Sequence, residues 1–222
     1  MTLGETLKQV QDLTVKLVEL GLCDQQNFPA TNKAPDGTQF LTISGAPNLT
    51  IAMKNIEYRE IYIALLKTNS FNFKMLDGGL IQLLYTFSGP TLVKHRLAYF
   101  PSPDFETFQN EPELYLEDGI YADILQKNVT AFPIRFDFDA SDHKHIDIAH
   151  PKSHLTLGQY QNCRIPVLAP LSPVVFIKFL LQHFYNTAFR IHDLGSDLPL
   201  TYFPNCITSN EQNTPHLSFS KL

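Results

Sequence analysis

The run Phe132-Pro-Ile-Arg-Phe-Asp-Phe-Asp139 is followed closely by Asp142-His-Lys-His145 and His150-Pro-Lys-Ser-His154, so half of the chain's eight histidines stand beside a file of carboxylates. Period-two alternation puts Ile134, Phe136 and Phe138 on one face of a strand and Arg135, Asp137 and Asp139 on the other. A guanidinium and two carboxylates in a row can hold a metal, share a proton with a nearby imidazole, or pair among themselves. The run His154-Leu-Thr-Leu-Gly158 also alternates, with His154 and Thr156 opposite Leu155 and Leu157. If the two runs pair, their polar faces merge, because antiparallel neighbours stand only about 5 Å apart.

Asp137, Asp139, His150 and His154 are the candidate metal ligands, since imidazole and carboxylate together suit zinc, manganese or magnesium. His150 and His154 have the spacing of two ligands on one helical face, but Pro151 and the strand pattern argue against a helix there. Two plainer readings stay open. His150 and His154 can fix a loop through backbone hydrogen bonds, and Arg135, Asp137 and Asp139 can be an ion-pair row on a solvated sheet face. Arg164 joins the candidates if the strand from His154 runs on through Tyr160, and its planar fork suits phosphate. His143 and His145, in the most polar part of the loop, read as surface residues. Asp142-His-Lys144 fits half of a restriction-type nuclease motif but follows the strand instead of lying on it. Cys163 has no activating arrangement and reads as a small apolar group. No cofactor signature is present, so a divalent metal is the one candidate: the chain lacks both the phosphate-cradling Gly-x-x-x-x-Gly-Lys-Ser/Thr loop and the Gly-x-Gly-x-x-Gly turn.

The elements that must position these residues are legible. Leu3, Leu7, Val10, Leu13, Leu17 and Leu20 recur at spacings of three and four, predicting an amphipathic helix over about 3–20. Thr2 and Glu5 have capping-box spacing, and Gly21 is placed to end it. Residues 24–38 carry Asn27, Pro29, Asn32, Pro35, Asp36 and Gly37 and read as a loop before a short strand, Gln39 to Ser44. Tyr58, Ile61, Tyr62, Leu65 and Leu66 fit a second helix. Gly79–Ser88 and Leu92–Phe100 are β-prone runs joined by Ser88-Gly-Pro-Thr91, the form of a hairpin; on the second, Val93, His95, Leu97 and Tyr99 share a face opposite Lys94 and Arg96. Ser172-Pro173 opens a helix whose stripe is Phe176, Phe179, Leu180 and Phe184. The tail from about 194 to 222 is irregular, with a last strand expected at His216–Ser220. The fold class that follows is α+β: one domain spanning 1–222, an antiparallel sheet packed by helices.

The chain has 222 residues, 44% hydrophobic and 18% charged, with a formal net charge of −5. Its apolar runs are too short to span a membrane, no secretory start is evident, and Cys23, Cys163 and Cys206 are scattered, so a cytoplasmic location is expected. Asp104, Glu106, Glu111, Glu113, Glu117, Asp118 and Asp123 are not interrupted by Lys or Arg, while basic residues are dispersed elsewhere. A protein that grips nucleic acid through phosphates normally has a basic patch, so any nucleic-acid role is expected to be indirect or shared with a partner.

The landmarks Lys94-His-Arg-Leu-Ala-Tyr-Phe-Pro-Ser-Pro103, Asn110-Glu-Pro-Glu113, Tyr121-Ala-Asp123, Phe132 to Asp139, His150-Pro-Lys-Ser-His-Leu155, Gly158-Gln-Tyr160, Cys163-Arg-Ile-Pro166 and Pro170-Leu-Ser-Pro173 occur in an order that resembles a bacterial family, domain of unknown function 2290. The likeness covers most of the chain and is densest from about 80 to 187. It implies a context: a small partner of a helicase encoded alongside, in a bacterial anti-phage defence system. It assigns no catalytic residue. The expected function is therefore a cytoplasmic adaptor or regulator acting with a helicase-like ATPase. The alternative is a metal-assisted or histidine acid-base nuclease effector of the same system, using Arg135, Asp137, Asp139, His150, His154 and Arg164.

Overall fold

The computed structural model describes residues 1–45, 56–104, 110–117, 119–125, 130–192 and 199–219. Its first helix, α1 (Leu3–Glu19), begins at the expected capping box: the Glu5 amide donates to Thr2 Oγ1 (3.4 Å) and the Thr2 amide to Glu5 Oε2 (2.7 Å). Gly21, at φ +66°, turns the chain out of the helix where a left-handed residue is needed. Val10, Leu13 and Leu17 bury its apolar stripe.

Residues 24–38, expected as a loop, contain two strands. β1 (Cys23–Gln26) pairs with β4 (Phe73–Met75), and β2 (Pro29–Lys33) forms a hairpin with β3 (Thr38–Ile43). The turn signal Pro35-Asp36-Gly37 was the hairpin's own, with the Thr38 amide donating to Asp36 Oδ1 at 2.9 Å. These strands lack apolar alternation because their side chains are largely exposed at the sheet's margin. They are held by backbone pairing, and an edge position also tolerates Pro29 at a strand start.

β5 (Leu80–Ser88) and β6 (Thr91–Phe100) form the expected hairpin, followed by β7 (Ile134–Asp139), β8 (Ser153–Leu157) and β9 (Ile165–Pro166). Among the described residues all strand pairings are antiparallel, in a nine-stranded sheet running β1-β4-β5-β6-β7-β8-β9, with β3 also on β5 and β2 outside it. A bulge near Thr86 and Phe87 shifts the register of β6, so Leu92 and not Val93 joins the core alongside His95, Leu97 and Tyr99.

The two faces of the sheet have different coverings. One carries Leu83, Tyr85, Leu97, Tyr99, Phe136 and Leu155 and is covered by α1 and α4 (Pro173–Phe184). Ser172 caps α4 by accepting from the Val175 amide (3.3 Å), and Phe176 and Leu180 are fully buried, with Phe179 and Phe184 partly so. The expected single helix to about residue 187 is interrupted at Tyr185, and a short α5 (Asn186–Ile191) follows. On the other face α2 (Tyr58–Lys67) packs through Ile61, Tyr62 and Leu65 onto Leu80, Ala98 and Phe100, at one end only.

α3 (Glu113–Glu117) lies in the acidic run, of which Glu106 and Asp118 fall outside the described residues. The tail is less irregular than expected: α6 (Ser209–Gln212) has its own capping box at Thr208 and Glu211. The anticipated strand at 216–220 is reduced to one bridge, Leu217 with Val167, and Ser220 lies outside the described residues. Among the described residues no helix is long and apolar enough to cross a membrane.

Candidate functional site

Register alone assembles the charged face. Arg96 stands opposite Asp137, Asp137 opposite His154 and His154 opposite Pro166, while Ala98, Arg135 and Thr156 make the row on one side of these and Lys94 with Asp139 the row on the other. Directly paired residues share a face, so Lys94, Arg96, Arg135, Asp137, Asp139, His154 and Thr156 all lie on the side of the sheet away from α1 and α4. Arg135, Asp137, Asp139 and His154 thus sit together, as the alternation predicts.

Asp137 is the hub. Its Oδ1 accepts from Arg96 Nε at 3.1 Å and its Oδ2 from Arg135 Nε at 2.5 Å, with only 15% of its side chain exposed. Burial pushes this carboxyl up, but the guanidinium groups of Arg135 and Arg96, with His154, outweigh it and hold the carboxyl below the ordinary range. Asp139 is engaged separately. It accepts from Lys144 Nζ (2.7 Å) and the Ser141 amide (3.1 Å), and Lys94 Nζ lies 3.8 Å away. Against burial, these partners bring it to about 2.

His154 Nδ1 lies 2.8 Å from the Pro151 carbonyl, to which it can donate, and its ring meets that of His150 edge-on, centroids 5.2 Å apart. Burial lowers both imidazoles and Arg164 lowers them further. Arg164 reaches this neighbourhood by a route other than the expected one. β8 ends at Leu157, Gly158 turns the chain at φ +61°, and Arg164 arrives just before β9 folds back along β8. Cys163 accepts at Sγ from the Leu157 amide (3.5 Å), a packing role. Asp142 pairs with Lys152 at 2.6 Å, outside the sheet.

Two clusters carry no sequence signal at their positions. His145, expected on the surface, places Nε2 3.0 Å from Oε1 of Glu211, which is 1% exposed. His145, Asp147 and Glu211 offer ligand atoms within 4.8 Å of one another, a set distinct from the four ligands that spacing nominated. Thr208-x-x-Glu211 marks a helix start, but nothing along the chain tells that Glu211 faces a histidine 66 residues earlier. The second cluster is Asp77, which reads only as a turn residue in Leu-Asp-Gly-Gly. It is buried and accepts from the Gly79 amide (3.0 Å), the Ala122 amide (3.2 Å) and the Tyr185 hydroxyl (3.0 Å), and burial raises its carboxyl. It ties the turn before β5 to the segment after α3.

Fold and face together define a helix-packed antiparallel α+β protein whose second sheet face carries a lattice of charges. The chain belongs to the family described as uncharacterized conserved protein (DUF2290), whose family model matches residues 22–219. No curated protein and no solved structure matches the chain.

Proposed function

We propose that this protein is a non-catalytic adaptor or regulatory subunit that works beside a helicase-like ATPase in bacterial defence against phage. The observation that carries the non-catalytic part is the neutralisation of Asp137. A general base or metal ligand needs a carboxylate whose charge is not already met by cations, and each oxygen of Asp137 is ion-paired with a guanidinium, Arg96 or Arg135, whose positive charge also repels a metal ion. Asp139 is likewise held by Lys144 and Ser141. The charged face reads as a brace that aligns β6, β7 and β8. The helicase and the defence context are supported by the family resemblance.

A docking surface is available in the acidic run. Asp104 pairs with Arg59, and Asp123 accepts from the Thr187 amide and hydroxyl, so these two carboxylates serve the fold. Glu111, Glu113 and Glu117 remain exposed. Such a surface suits a basic patch on the partner.

The nuclease reading is favoured by one observation, the contact of the His150 and His154 rings near Arg164, with burial lowering both imidazoles. One experiment separates the two. The chain is co-expressed with its helicase-like neighbour, and complex formation, ATPase rate and cleavage of single- and double-stranded DNA and RNA are measured with Mg²⁺, Mn²⁺ or Zn²⁺. The adaptor reading expects a complex, an altered ATPase rate and no cleavage. It also expects Glu111, Glu113 and Glu117 to Gln replacements to weaken the complex most at low salt. Metal-dependent cleavage that His154→Ala abolishes while the fold persists would overturn it.

A further inference from the structure

We infer that His145, Asp147 and Glu211 form a site for one divalent transition-metal ion, zinc or manganese, that clasps the C-terminal segment onto the loop between β7 and β8. This goes beyond the adaptor reading and is independent of it.

Three features of the group lead there. The first is the ligand set: one imidazole nitrogen and two carboxylates, from segments far apart in sequence, come within 4.8 Å of one another. The 3.0 Å between His145 Nε2 and Glu211 Oε1 is near the roughly 3.3 Å that separates two ligands about 2.0–2.1 Å from a tetrahedral ion. Carboxylates alone would suit calcium, magnesium or manganese, whereas an imidazole among them turns the set toward zinc, with manganese still matched by the two carboxylates.

The second feature is charge. Glu211 is 1% exposed, and burying a carboxylate is costly unless a cation meets it. Asp147, at the exposed rim, adds a second carboxylate beside the same imidazole, so even a protonated His145 leaves negative charge over. The lysines at either side of the loop do not supply the difference, because Lys144 is spent on Asp139 and Lys152 on Asp142. A divalent ion balances the group.

The third is orientation from outside the set. The Thr208 amide holds Glu211 Oε2 at 2.9 Å, and Thr208 Oγ1 and Asn210 Nδ2 hold the two oxygens of Asp147 at 2.5 and 2.6 Å. Supporting groups of this kind fix carboxylates around metals. Each oxygen keeps a further lone pair for an ion. Ion binding would fasten α6 to the loop that ends at His150, and so set the border of the charged face where His150 meets His154.

The test uses the full chain, stripped with EDTA and dialysed, with Zn²⁺ or Mn²⁺ alone as the probe. After reloading with one of these ions and a second dialysis, elemental analysis is expected to find roughly one zinc or manganese per chain. At a hundredfold excess over Kd the melting temperature should rise on the order of 5–10 °C. His145→Ala and Asp147→Asn, titrated by calorimetry well below their own melting temperatures, should each weaken binding at least about tenfold. His143→Ala, the neighbouring exposed histidine, should bind as the parent does. Glu211→Gln keeps a side-chain acceptor for the Thr208 amide, and so the α6 capping box, and should also weaken binding. Absence of stoichiometric metal overturns the inference, and so does metal binding of parental affinity in either His145→Ala or Asp147→Asn.

Discussion

Replacing Asp137 tests the account of the charged face most directly. In Asp137→Ala the guanidinium groups of Arg96 and Arg135, whose side chains are 22% and 12% exposed, lose their shared anion. Removing one partner of a buried ion pair costs about 3–5 kcal/mol, because the remaining charge stays desolvated. Water reaches part of both arginines here, so the lower end applies, about 3 kcal/mol. For a chain of this size that is a fall in melting temperature of roughly 6–12 °C. Asp137→Asn keeps the shape and should lose nearly as much, which separates charge from packing. The pH dependence has a definite sign. The folded state holds this carboxyl below its ordinary range, so its contribution is present above an unfolded pKa of about 3.9 and is lost as pH falls through the folded value. The gap between parent and Asp137→Asn, measured by urea unfolding, should therefore be widest near pH 7. It should narrow toward the lowest pH at which the parent still folds. A loss under about 1 kcal/mol at pH 7, or a gap that does not change with pH, would refute the claim that Asp137 braces the sheet.

Leu180→Ala, at a fully buried position of α4 over the sheet, should cost about 2–5 kcal/mol as a cavity forms; chemical denaturation of the isolated chain measures it, and a neutral result would mean that the stripe is not core. His95 accepts from the Leu171 amide (3.1 Å) inside the core, and burial lowers its imidazole to about 4. Its contribution is thus complete above about 6.5 and is lost as pH falls toward about 4; a His95→Gln variant should lack that part of the stability–pH curve. Ile148 is a β-branched residue at φ +67°, 50% exposed, in a turn closed by the Ala149 amide on the Asp147 carbonyl. Relief of that backbone strain should make Ile148→Gly more stable by about 1 kcal/mol, and calorimetry showing a loss instead would mean that the isoleucine side chain is held by contacts.

Local sequence was enough for much of this protein. The capping box at Thr2 and Glu5, the Ser172-Pro173 helix start and the β5–β6 hairpin each depend on interactions within a few residues, where side-chain type acts directly on the backbone. Strict alternation likewise put Arg135, Asp137 and Asp139 on one face, since a strand's side-chain period of two leaves no other arrangement. Other features were decided in three dimensions. β1 and β2 have too little buried side-chain area to pattern their sequence and exist because β4 and β3 offer backbone partners. Arg135 is two residues from Asp137 on the same strand, but Arg96 is 41 residues away, and only the β6–β7 register brings it to that carboxylate, turning a row of apparent catalytic groups into a closed ion-pair lattice. His145 looked like a solvated loop residue until the return of the C-terminal segment set the buried Glu211 against it. A strand with little buried side-chain area depends on the backbone partner it meets, and an ionisable side chain acquires its role from the charge that meets it and the water it loses; none of these is written in the residues alone.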